Sequence, residues 1–106
     1  MKLTVYIDDN QHEIEVPDFI LNDATDYFDM MDKDMDKGYQ MSRTWVDKPD
    51  PYQRCQIAGD KLLTAVQGNN RETCILMAGY ILKRVPNIKA LMLTQRGDMT
   101  EHDIDV

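Results

Sequence analysis

The stretch K-L-T-V-Y-I-D-D-N-Q-H-E-I-E-V, Lys2 to Val16, decides how the chain begins to fold. Leu3, Val5 and Ile7 alternate with Lys2, Thr4 and Tyr6, the period-two pattern of a half-buried strand. After the polar break Asp9-Asn10-Gln11 the alternation resumes, with Ile14 and Val16 set against Glu13 and Glu15. Two short alternating runs around an Asp/Asn turn predict a β-hairpin. Pro17 closes the second strand and suits the start of a helix.

Downstream the period changes. From Asp18 to Lys37 the apolar residues Ile20, Ala24, Tyr27, Phe28, Met31 and Met35 fall on one helical stripe, and Gly38 stands where a C-cap belongs. The spacing predicts a single helix. Tyr39 to Asp50 has no clear period and reads as a long loop, of the kind that is often functional or partly helical. Asp50 followed by Pro51 is a helix start, an acceptor at the N-cap and then proline at the first helical position. Cys55, Ala58, Leu62, Ala65 and Val66 give this second helix its core stripe. Gln67-Gly68-Asn69-Asn70 breaks it, and Asn69 with Glu72 has capping-box spacing for a third helix to about Val85. That helix is apolar on nearly all sides, so it is expected to be the central, most buried one.

Pro86-Asn87 ends it, and Ile88 to Thr94 is apolar enough for a third strand. A two-stranded hairpin alone is marginal, so this strand is expected beside the first. The order ββαααβ predicts an α+β fold, with helices packed on one face of a small sheet. Residues 1–95 form the single domain in this reading, and residues 96–106 an acidic, flexible tail.

Composition excludes several functions. With 106 residues, 42% hydrophobic and 29% charged, the chain suits one globular domain. Twelve Lys+Arg against 19 Asp+Glu leave a net charge of −7, which argues against nucleic acid or an anionic membrane as partner. The longest apolar run, Cys74 to Leu82, is too short for a membrane span, and Met1 to Ile7 has no signal-peptide pattern. Cys55 and Cys74 form no C-x-x-C pair and read as packed, reduced thiols, which suits the cytoplasm. Ser42 is the only serine, and His12 and His102 lack ligand or triad spacing, so no catalytic constellation is recognisable. The glycines are too dispersed for a phosphate loop, and no cofactor is implied.

Charge is distributed unevenly. Seven aspartates and one lysine lie between Asp18 and Asp36. On a helix Asp29, Asp32 and Asp36 project within a sector of about 60° beside the apolar stripe. This anionic flank, with Tyr39, Met41, Arg43 and Trp45 in the adjoining loop, is the candidate surface for a protein partner, one that is itself basic. The bland alternative for Trp45 is a lid folded back on the core, which is the commoner fate of a lone tryptophan. Asp32, Asp34 and Asp36 also match the first, third and fifth positions of a Ca²⁺ or Mg²⁺ loop. The sixth is Lys37 where glycine is required, however, and the twelfth is Arg43 where a bidentate glutamate is required. If Ile88 to Thr94 lay at a sheet edge, with Lys89 its only charge, it could recruit a second copy into a homodimer.

Three stretches, M-D-K-D-M-D-K-G-Y-Q-M-S-R-T-W-V (Met31 to Val46), Q-R-C-Q-I-A-G-D-K-L-L-T-A (Gln53 to Ala65) and L-M-A-G-Y-I-L (Leu76 to Leu82), together resemble a family of small, uncharacterised bacterial proteins. That resemblance implies a bacterial, cytoplasmic protein. It carries over no catalytic or binding residue.

Overall fold

A computed structural model describes all 106 residues. The expected hairpin is present. Strand β1 (Lys2–Ile7) pairs antiparallel with β2 (Asn10–Glu15), and the register sets Leu3 opposite Ile14 and Val5 opposite His12. The turn falls at Asp8-Asp9, one residue earlier than the polar break suggested, with Asp8 in the left-handed region at φ 53°.

The single helix expected over residues 18–37 is two. Helix α1 (Asp18–Asp23) and helix α2 (Thr25–Asp36) meet at Ala24, whose backbone leaves helical geometry at φ −92°, ψ 14°. The junction Asn22-Asp23-Ala24-Thr25 contains three weak helix formers, and the Thr25 hydroxyl donates to the Asn22 carbonyl at 3.2 Å. The break lets each piece face its own partner. Phe28, Met31 and Met35 of α2 enter the core, and Ile20 of α1 lies over Gly79 with Val16 and Phe28.

Strands β3 (Tyr39–Met41) and β4 (Thr44–Val46) form a second, two-stranded sheet where a loop was expected. Ser42 makes the tight turn between them at φ 56°. Strands of three residues are too short to show a period, which is why the sequence hides them. Helix α3 (Pro51–Gln67) starts as expected: the Asp50 carboxylate accepts the Gln53 N–H at 2.8 Å, and the Gln53 side chain accepts the Asp50 N–H. Helix α4 (Arg71–Arg84) is capped one residue later than expected, by Asn70 accepting the Thr73 N–H. It is not buried throughout. Met77 to Leu82 are enclosed, whereas Ile75 and Leu76 line an open groove with Phe19 and Ile20.

Strand β5 (Ala90–Leu93) lies beside β1, as expected, and runs parallel to it. It is not an edge. A fourth strand, β6 (Asp103–Asp105), covers its other side, giving the order β2-β1-β5-β6. The homodimer route through an exposed β5 edge is therefore closed.

Residues 96–106, expected to be a flexible tail, dock. A 3₁₀ turn (Met99–Glu101) leads into β6, and His102 and Ile104 are buried. The buried Gln56 amide of α3 donates to the carbonyls of Thr100 (3.1 Å) and His102 (2.9 Å). His102 Nδ1 accepts the Thr94 N–H, so the ring carries its proton on Nε2, 3.1 Å from Asp60. The signal was the alternation His102-Asp103-Ile104-Asp105, a period-two pattern inside an otherwise polar stretch.

All helices lie on the face of the sheet that carries Leu3, Val5, Ile7, Leu91, Leu93 and Ile104. Gly59 brings α3 close to that face: a Cβ there would stand 3.0 Å from Leu93 and 3.5 Å from Leu91. No helix is long and apolar enough to cross a membrane.

Candidate functional site

The anionic flank of α2 does not face solvent freely. Asp32 lies against arginines from two other helices. Its Oδ2 accepts from Arg84 Nη2 at 2.6 Å and Nε at 3.1 Å, and its Oδ1 accepts from Arg54 Nη1 at 3.2 Å and from the Tyr80 hydroxyl. Asp36 takes Arg54 Nη2 at 2.6 Å, and Asp29 takes Arg84 Nη2 at 3.5 Å. Arg54 also donates to the Pro49 and Asp32 carbonyls, tying the loop before α3 to α2. The Arg84 guanidinium sits 5.0 Å from the centre of the Tyr80 ring, at cation–π distance.

Helical geometry explains the convergence. Asp29, Asp32 and Asp36 share one side of α2, and Tyr80 and Arg84 are stacked four apart on α4. Arg84 occupies the last turn of α4, where a cation also meets the negative end of the helix dipole. Burial opposes ionisation of Asp32, but the hydrogen bonds from Tyr80, Arg84 and Arg54 and the Arg84 charge outweigh it. Its carboxyl is held below the ordinary value of 3.8. Burial likewise pushes the Tyr80 hydroxyl up, with Asp32 adding to the shift.

These groups floor a groove of about 610 Å³, rimmed by Lys48, Pro49, Asp50 and Pro51. Both Asp32 oxygens are already occupied, and each arginine has its carboxylate. The chemistry of this network is that of a bolt fastening α2 to α3 and α4. Cys55 is fully enclosed on α3, and burial pushes its thiol up to about 11, which keeps it protonated and unreactive. Cys74 is half-buried on α4, and His12 is exposed on the edge strand β2.

The other residues singled out from sequence have separate fates. Met41 is buried in the core and cannot touch a partner. Tyr39 is half-buried, 5.9 Å below the Lys61 ammonium. Arg43 is exposed at the hairpin turn. Trp45 is no lid on the core. It is 56% exposed on the outer face of the β3–β4 hairpin, its ring lies across Gly38, and its Nε1 donates to Asp47 at 2.8 Å. A Cβ on Gly38 would stand 2.3 Å from the indole, and φ there is +100°, so only glycine suits the position.

The ion-loop residues do not converge either. Asp32 and Asp36 belong to the arginine network, while Asp34 lies about 200° around the helix from Asp32. Nowhere do three carboxylate, imidazole or thiol groups gather as metal ligands.

Sequence reasoning missed Tyr27 and Met30 as surface groups, because their spacing placed Tyr27 on the apolar stripe. They are 45% and 63% exposed, and with Asp34, Tyr39 and Lys61 they border a shallow groove of about 160 Å³. Comparison with known protein families, curated proteins and solved structures finds no match to this chain.

Proposed function

We propose that the protein is a non-enzymatic interaction module of the bacterial cytoplasm, which binds another protein through the rim formed by α2 and the β3–β4 hairpin. The observation that carries this reading is the exposure of Tyr27, Met30 and Trp45 along that rim. Aromatic and methionine side chains are favoured at protein interfaces, where they supply contact area and adaptable packing. The free carboxylates of Asp26 and Asp34 stand among them, which suits a partner with basic groups. The cytoplasmic, bacterial part of the reading rests on the sequence resemblance and on the two unpaired thiols.

This surface differs from the one the sequence suggested. Asp32 fastens α2 to its neighbours, and Asp29 and Asp36 are half-exposed beside it on the same arginines, so reversing the three together would report on stability as well as on binding. The useful variants are Trp45→Ala and Met30→Glu, both at exposed positions. Immobilised protein is offered to a bacterial lysate, and retained species are compared with those held by each variant. A retained protein that both variants lose, while Met92→Ala on the far side of the molecule keeps it, is the expected result. Equal retention by all four proteins would sink the rim as the binding surface.

A further inference from the structure

The four-stranded sheet has helices on one face only. Its other face is set by the register. One row across the strands reads Gln11, Tyr6, Met92, Asp103, and the next reads Glu13, Thr4, Ala90, Asp105. The middle of this face, Thr4 and Tyr6 on β1 with Ala90 and Met92 on β5, is apolar or neutral, and Met92 is 42% exposed there. The one cation of the face, Lys2, stands at the end of β1 opposite Glu15. Both rims are acidic. Glu13, Asp103 and Asp105 have no cation within ion-pair distance, although Glu13 accepts from Thr4 and Gln11, and Asp103 from Tyr52.

Strand β5 supplies a second, independent argument. Leu91 and Leu93 face the core, yet Ala90 and Met92 on the opposite side are apolar too, Ala90 buried between its neighbours and Met92 exposed. A strand apolar on both faces is the pattern of a sheet covered on both sides. Here one cover is missing.

We propose that this open face docks a basic amphipathic helix of another protein, its apolar stripe along Tyr6 and Met92 and its Lys/Arg flanks over the two acidic rims. Dimensions fit. Three strand spacings separate β2 from β6, about 14 Å, against a helix diameter of about 10–12 Å. Long basic side chains reach outward from such a stripe while their methylene stems stay on apolar surface. Charge also decides against a second copy as the occupant. Two such faces stacked together would oppose acidic rims, in a protein whose net charge is already −7.

The test uses the whole ¹⁵N-labelled protein and a synthetic helix of about 18 residues, roughly five turns. The peptide carries a leucine stripe flanked by lysines. A scrambled peptide of the same composition, with no apolar face, is the comparison. The expected result is a saturable set of amide shifts on β1 and β5 around Thr4, Tyr6, Ala90 and Met92. Met92→Asp and the pair Glu13→Lys with Asp105→Lys should each weaken binding at least tenfold, as should scrambling. The paired reversal changes only exposed side chains, so it keeps the question open if Met92→Asp perturbs the fold. Equal binding of the scrambled peptide would overturn the proposal, as would the absence of saturation at millimolar peptide. Shifts centred on Tyr27, Met30 and Trp45 would overturn it too, and would move the basic helix to the α2 rim.

Discussion

The molecule has two acidic regions, and they are built on opposite principles. On α2, Asp29, Asp32 and Asp36 are answered from within the chain by Arg54 and Arg84, which arrive from α3 and α4. On the open face of the sheet, Glu13, Asp103 and Asp105 meet no cation. In the sequence the first region looks the more available, because its aspartates are dense and local. The fold reverses that order. A carboxylate cluster is free for a partner only if no guanidinium elsewhere in the chain can reach it, and that is a tertiary fact. The open face gathers its carboxylates from two distant segments, Glu13 at one end of the chain and Asp103 and Asp105 at the other, so no local run of charge announces it.

The sharpest way to break this comparison is to remove the keystone of the first region. Asp32→Asn removes the charge the two guanidinium groups share and leaves one acceptor oxygen where Arg54, Arg84 and the Tyr80 hydroxyl now find two, with an amide NH2 turned toward the cations in place of the other. It should cost about 2–4 kcal/mol, discounted from a fully buried pair because Asp32 keeps a quarter of its surface. For a domain of this size each kcal/mol moves Tm by about 4–8 °C, so calorimetry reads the effect directly. A loss below about 0.5 kcal/mol would mean the network is surface decoration.

The same residue sets a pH dependence. Its folded pKa lies below the ordinary value of 3.8, so its contribution is complete above that value and is lost as pH falls through the lower, folded one. The stability gap between the natural protein and Asp32→Asn should therefore be constant near neutrality and shrink below about pH 4. Denaturant titrations across that range measure it, and a gap that persists unchanged at pH 2 would contradict the assignment.

A smaller effect is expected where the fold joins the two regions. Gln56→Ala removes the donor that α3 offers to the Thr100 and His102 carbonyls, beneath the strand that carries Asp103 and Asp105. It should cost about 1–3 kcal/mol and raise amide exchange in residues 99–105 before the rest of the protein. Uniform exchange loss instead would show that β6 opens only with the whole domain.

Much of the architecture was legible because it rests on periodicity or on strong local signals. The Lys2–Val16 alternation gave the hairpin, and Asp50-Pro51 gave the start of α3 within a residue. What stayed hidden depends on contacts distant in sequence or on elements too short to show a period. The β3–β4 hairpin and β6 have three residues per strand, and the break at Ala24 satisfies two packing directions at once. At the site, the aspartates were visible and their partners were not. Tyr80 and Arg84 four apart on a mainly apolar helix, and Arg54 beside the Cys55 stripe, were the available hint that cations face inward. Trp45 escaped because its resting place is a positive-φ glycine and not an apolar pocket.

The smallest expected effect sharpens the comparison from the other side. Glu13→Gln with Asp105→Asn removes two charges that meet no cation and keeps an amide oxygen at position 13 to accept from Thr4 and Gln11, so stability should change by less than about 0.5 kcal/mol. Its sign carries the information. If these rims are uncompensated, neutralising them relieves repulsion in a chain of net charge −7 and stabilises it slightly at low ionic strength. The gain should vanish in about 1 M salt, where the screening length is only about 3 Å. Asp32→Asn should retain most of its cost under the same conditions, because its partners are partly buried and bonded at short range. Paired unfolding curves at low and high salt thus separate charge held ready for a basic partner from charge spent on the fold. A destabilising, salt-sensitive double variant would mean the sheet rims, like α2, have already found their cations.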